Sequence, residues 1–265
     1  MRALMLSVIF ALVAAGCGSA GPDPSSRRPL VQRADTIWLI FIDDLHLDFR
    51  NTGYLRGLLK TISTDLIRNG DMFAVASSGP SNLSIRPTVD HGLLETAIRR
   101  ASGAGLAPVD IVEILSRRKE PNEIGFRANV ALSAARRLIA SVERARSRRK
   151  ALIYISNGYR LEPGARGIKS SDTRSARQRE MTAETVRRQF SELTREAKRA
   201  RVRVFAIDQR SLRTPDPDAD LATWDGYLAA TRKNSRILCE RTGGLTLSDS
   251  RNHSETVKRI SSALR

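Results

Sequence analysis

The chain has 265 residues, with 45 Lys+Arg against 28 Asp+Glu and a formal net charge of +17. Hydrophobic residues make up 41%, enough for a sizeable core, which excludes disorder as the overall state. Only one stretch is long and apolar, excluding a polytopic membrane protein, and two cysteines with three isolated histidines (His46, His91, His253) exclude a disulfide scaffold, a Cys-rich zinc site and a metal site built on a local His pair.

The first 20 residues read MRALMLSVIFALVAAGCGSA. Arg2 precedes an apolar run from Ala3 to Ala15, too short to span a bilayer core of about 30 Å as a helix but suited to the apolar region of a secretory signal. Ala14, Ala15 and Gly16 before Cys17 resemble the bacterial lipobox, with Ala14 where Leu is usual. The resemblance implies a signal peptide over 1–16 and lipidation of Cys17 as the mature N-terminus. Ser19, rather than Asp, implies the outer membrane, facing the periplasm. The other reading is ordinary cleavage near Ala20, with Cys17 discarded. Residues 17–33 are rich in Gly, Pro, Ser and Arg, so they read as a tether. Once Cys17 leads the chain, Cys239 has no partner and reads as a buried thiol in an apolar helical stretch.

From residue 34 the pattern alternates strand and helix. Thr36–Ile42 is a near-continuous apolar run closed by Asp43-Asp44, the mark of a buried central strand. The spacing of Leu55, Leu58, Leu59, Ile62, Leu66 and Ile67 predicts a helix over 52–69. Strands are predicted at 72–77 and 84–88, the second at an edge, and helices at 91–101, 109–117 and 125–146. A strand over 151–155 ends at Ser156-Asn157-Gly158. The segment 160–180 reads as an irregular insertion, and a charged helix is predicted over 182–201. A strand over 202–207 ends at Asp208; then come a helix over 221–241, a strand over 244–247 and a helix over 254–264. Buried parallel-type strands alternating with amphipathic helices imply one α/β domain over 34–265: three layers, with a mostly parallel central sheet. Ligands of such sheets bind at the C-terminal ends of the strands.

Five segments in chain order resemble von Willebrand factor type A domains, closest to a bacterial, secreted, related subgroup. They are Ile40-Phe41-Ile42-Asp43-Asp44-Leu45-His46-Leu47, then Asn69 to Val75, Gly125 to Asn129, Lys150 to Gly158, and Glu240 to Gly244. The resemblance covers nearly all of 34–265. It implies a Rossmann-like fold and a metal-ion-dependent adhesion site, in which an Asp-x-Ser-x-Ser loop, a Thr and a second Asp hold a divalent cation. Asp43 keeps the first position. Leu45 and Leu47 stand at the serine positions, Arg127 or Asn129 near the Thr, and Asn157 at the second Asp. A hard cation wants oxygen ligands, so the site reads as degenerate and no cofactor is expected. Arg127 is a candidate substitute for the cation, through a forked pair with Asp43 or Asp44; a solvated Arg127 is the plainer reading. An alternative is an unorthodox shell for Mg²⁺ or another divalent cation around Asp43, His46 and Asp48. Alternatively Asp48 caps the next turn.

Adjacent Asp43 and Asp44 should face opposite ways in a strand, so no acid/base dyad is expected, and no nucleophile elbow or phosphate loop is present. The domain therefore reads as non-catalytic, with an enzyme of unknown type at the Asp43 loop as the alternative. Residues 127–150 and 160–203 together carry +14 of the +17. Arg144, Arg146, Arg148, Arg149 and Lys150 cluster at the sheet end opposite Asp43, a basic surface suited to a protein or an anionic envelope component. An exported chain without a nucleic-acid-binding motif is not expected to meet nucleic acid.

Overall fold

A computed structural model describes residues 34–117, 121–161, 173–209, 221–248 and 252–265. The signal peptide, Cys17 and the tether read from the sequence lie outside the described residues. The domain is α/β, as predicted, with a six-stranded central sheet. Strands β1 (Thr36–Ile42), β2 (Met72–Ser77), β3 (Ser84–Thr88), β4 (Arg149–Ile155), β5 (Val202–Asp208) and β6 (Thr246–Ser248) lie in the order β3-β2-β1-β4-β5-β6. Only β3 is antiparallel. In this order the chain winds outward from β1, first one way and then the other, so the crevice between β1 and β4 is the switch point where such sheets bind ligands.

Period-two alternation assigns each strand residue to one of two cores. Ile37, Leu39 and Phe41 of β1, with Leu152, Val202 and Val204, pack under α4 (Pro121–Ala140), α5 (Thr173–Arg199) and the end of α6 (Leu221–Thr242). Trp38, Ile40 and Ile42, with Phe73, Ile153 and Phe205, pack under α1 (Thr52–Thr61), α2 (His91–Arg100) and α7 (His253–Leu264). A further helix, α3 (Pro108–Arg117), joins α6 through Val112, Trp224 and Tyr227. All seven residues of β1 are buried, as expected of a central strand covered on both faces. Cys239 is buried in α6, where burial pushes its thiol up to about 11. No helix of the described residues is long and apolar enough to cross a membrane.

Several boundaries differ from the sequence reading. The helix predicted over 52–69 ends at Thr61 and widens into a π turn, Ile62–Leu66, closed by Ile67 N donating to Ile62 O. That register keeps Ile62, Leu66 and Ile67 all inward. The helix predicted over 125–146 begins four residues earlier and ends at Ala140. Three-residue turns follow, with Val142 N on Ile139 O, Glu143 N on Ala140 O and Ala145 N on Val142 O. The insertion predicted over 160–180 is helical from Thr173, the start of α5. The last strand is Thr246–Ser248; Gly244 instead passes so close to Val204 O that a Cβ there would lie 1.8 Å from it.

Candidate functional site

The C-terminal ends of β1, β2 and β4 converge on Asp43. Its amide continues the ladder by donating to Ile155 O, while Ser78 N donates to Ile42 O. These bonds set Ser78 on one side of Asp43 and Ser156 on the other. β1 stops at Ile42, and Asp43 begins a turn in which His46 N and Leu47 N both donate to its carbonyl. The two carboxylates therefore do not face opposite ways, as strand geometry predicts, but meet at one hydroxyl. Ser78 Oγ lies 2.8 Å from Asp43 Oδ1 and 2.9 Å from Asp44 Oδ1, with one hydrogen to donate between them.

Both aspartates are fully buried. Asp43 also accepts from His46 Nδ1 at 2.8 Å and from Ser156 Oγ at 2.6 Å, and Tyr159 hydrogen-bonds it. Burial raises its pKa, but the His46 charge and the bonds from His46, Ser156 and Tyr159 outweigh that and hold the carboxyl below its ordinary value. Tyr154 and Tyr159, whose hydroxyls meet, are pushed well above theirs by burial and by the Asp43 charge. Asp44 Oδ2 accepts from Ser81 N at 2.8 Å, fixing the β2–β3 turn. Gly158 makes the turn that brings Tyr159 back; its φ of +75° and the 2.9 Å from its would-be Cβ to Thr231 O both require glycine.

Arg127 and Asn129 lie inside α4, not on a loop. Arg127 does not pair with Asp43 or Asp44. Its guanidinium donates to Glu123 Oε1 at 2.7 and 2.9 Å, and to the carbonyls of Leu45 and Ala104. The predicted cation substitute is thus a clamp on the loop backbone, and it is not simply solvated either. Asp48 caps the short turn Phe49–Asn51 and holds Arg50 through paired bonds, so of the expected shell His46 joins Asp43 while the Asp48 carboxylate turns to Arg50. Asn157 Nδ2 donates to His46 O at 2.7 Å. The Oδ1 atoms of Asn157 and Asn129 are buried without a hydrogen-bond partner among the described residues.

The cation that the family resemblance implies fits this donor set poorly. Leu45 and Leu47 offer no oxygen, and Leu47 is buried in the core. Both Asp43 oxygens accept hydrogen bonds from side chains, leaving few lone pairs for an ion. Among the described residues no three His, Cys, Asp or Glu groups gather around one point.

Beside the carboxylates runs a cleft of about 680 Å³, its open mouth included. Leu45, Leu106, Pro108, Ile111, Ile124 and Trp224 make its apolar walls; His46, Arg50, Arg127 and Asn157 supply polar edges. The segments that line it also carry exposed apolar side chains, Phe49 at 69%, Phe126 at 65%, Val109 at 47% and Leu221 at 52%. The sequence reading missed Ser78, Ser156 and Tyr159 as partners of Asp43, and this cleft altogether. The hydroxyls stand at strand ends, which is a position signal; nothing local in sequence shows that they meet.

At the opposite end of the sheet, Arg144, Arg146 and Arg148 are exposed in the turn before β4, and Arg149 is half-buried. Lys150 does not belong to this surface. It is 7% exposed, and its Nζ donates to Val142 O at 2.9 Å, capping the turns after α4.

A scan against family models finds none that matches the chain, and a search of curated proteins finds no match either.

Proposed function

We propose that this is an exported, lipid-anchored, non-catalytic domain resembling a von Willebrand A domain, which binds a protein through the cleft at the C-terminal end of its sheet. The observation that carries the reading is the apolar-walled cleft, with Phe49, Val109, Phe126 and Leu221 exposed on the segments that line it. An apolar concavity with exposed apolar side chains on its flanking segments favours a partner's buried anchor. The cleft's arginines are already paired, Arg50 with Asp48 and Arg127 with Glu123, so the anchor that fits is an uncharged apolar side chain. In place of a bridging cation, the Asp43 network holds the cleft floor.

Photocrosslinking in the cell envelope tests this. A crosslinker at position 49 or 126 should give one discrete protein adduct, and one at Leu93, exposed elsewhere, should not. The adduct at 49 should vanish in Phe126→Ser. No adduct, or equal adducts at 93, overturns the reading. Thermal unfolding with EDTA and then millimolar Mg²⁺, Mn²⁺ or Ca²⁺ should show no shift; a shift lost in Asp43→Ala revives adhesion through a metal.

One observation favours a second reading, an enzyme. His46 lines the cleft with Nδ1 held by buried Asp43, the arrangement of a general base. Among the described residues no Ser, Thr or Cys lines the cleft with it, so the base would act on water. Ester or phosphoester hydrolysis abolished by His46→Gln without loss of fold would support this reading over binding.

A further inference from the structure

The domain's first described residues are tied to its arginine-rich turn. Ser147, between Arg146 and Arg148, donates through Oγ to Ala34 O at 2.6 Å, and Arg149 N donates to Asp35 O at 3.1 Å. The chain therefore enters the domain at the N-terminal pole of the sheet, against its most basic turn. The end of α5 joins the same surface, since Arg199 Nε donates to Glu143 Oε1 at 2.7 Å. Arg201, in the turn that follows, interacts electrostatically with Lys150. Arg144, Arg146, Arg148, Lys198, Arg199 and Arg201 are all exposed, and the exposed acids in the same stretches of chain are Asp35 and Glu143. Glu143 is taken by Arg199. The other five cations enter no ion pair among the described residues.

We propose that this pole docks on the anionic phospholipid headgroups of the membrane that anchors the chain. Unpaired, hydrated cations on a convex turn suit a diffuse field of phosphates rather than a shaped pocket. A lipid surface is favoured over other polyanions because chain entry and the cation cluster share one pole. A membrane holding the chain at Cys17 would therefore meet this pole first. The inference rests on the proposed lipid anchor in that one respect. Docked this way, the domain carries the cleft at the far end of the sheet, pointing away from the bilayer.

The test is vesicle flotation of the mature chain, residues 17–265, carrying Cys17→Ser, so that neither a lipid nor the apolar run from Ala3 to Ala15 contributes and every variant keeps the same N-terminal residues. Vesicles are phosphatidylcholine alone, or with about one third phosphatidylglycerol. At about 1 kcal/mol per basic residue near such a surface, Arg144→Gln/Arg146→Gln/Arg148→Gln should weaken partition onto the anionic vesicles about a hundredfold. Raising salt to 0.5 M, where screening shortens the field, should mimic the triple variant. Arg86→Gln/Arg99→Gln, exposed on β3 and α2, and Phe126→Ser, on the cleft rim, should leave partition unchanged. An unchanged melting temperature in the triple variant shows that fold is not the cause. Equal partition onto both vesicle types, an unaffected triple variant, or displacement from anionic vesicles by an equal phosphate concentration of RNA overturns the proposal. Loss of the Phe126 crosslink with vesicle binding intact would fail the cleft reading alone.

Discussion

The two ends of the sheet use the same residue types in opposite states. At the C-terminal end the cations are spoken for: Arg50 by Asp48, Arg127 by Glu123, Arg232 by Asp208. Asp43 and Asp44 there are fully buried and supplied with donors. At the N-terminal end Arg144, Arg146, Arg148, Lys198 and Arg201 stand exposed and enter no ion pair among the described residues. Charge near a cleft is thus no measure of charge available to a ligand. The end that holds the ionisable cluster presents apolar cleft walls, and the opposite end presents the field.

The sharpest way to break this contrast is to remove a charge at each end. Asp43→Asn should cost about 3 kcal/mol, because it neutralises a fully buried carboxylate paired with part-buried His46 and leaves one of its side-chain donors without an acceptor. Arg148→Gln should change stability by no more than about 0.5 kcal/mol, as exposed substitutions do. Urea midpoints at constant m-value compare the two; equal losses would erase the distinction.

Acid titration sharpens it next. The Asp43 carboxyl sits below its ordinary value of 3.8 in the folded state, so the unfolded chain binds more protons as acid is added. The stability it contributes is full above 3.8 and is lost as the pH falls through the lowered value. Melting curves from pH 6 to 2 should show that acid limb shrink in Asp43→Asn and persist in Arg148→Gln.

Cys239 reports on the core beneath. With its thiol pushed up to about 11 by burial, it should resist maleimide at pH 8 in the folded chain and label fully in urea. The Cys17→Ser background makes the count unambiguous. Fast labelling of the folded chain would mean that the α6 side opens.

The smallest effect expected is that of salt. Unpaired cations at one pole repel one another, so raising salt from 0.05 to 0.5 M should stabilise the domain by about 1 kcal/mol or less. The gain should disappear in the triple arginine variant.

The strands were the most legible part of the molecule. β1, β2 and β3 occupy the residues their apolar runs or alternation predict, because burial of a strand leaves a direct mark on composition. The end of α4 was not legible. Apolar spacing runs on through Val142, but the chain turns after Ala140, and the cap is a lysine amine arriving from β4. Asp43 was legible from its place after a buried run. Its partners were not, since Ser78, Ser156 and Tyr159 reach it only through the strand order, which puts β2 and β4 on either side of β1. Arg127 was read as a substitute for the cation, or as solvated, because the resemblance places it near a ligand position, whereas helical spacing places Glu123 one turn away.

The central place of β1 has a consequence for how the chain reaches its folded form. The first strand in sequence is flanked by β2 and by β4, and Thr36 pairs with Arg149. Its second ladder cannot form until more than half the chain has been made. Pairings of such long sequence separation close late and slowly. Until then the most apolar strand of the sheet has an open edge, a state in which a chain is prone to aggregate. A chain in that condition also remains threadable, so the export proposed for this one would gain time from a keystone strand that waits for a distant partner.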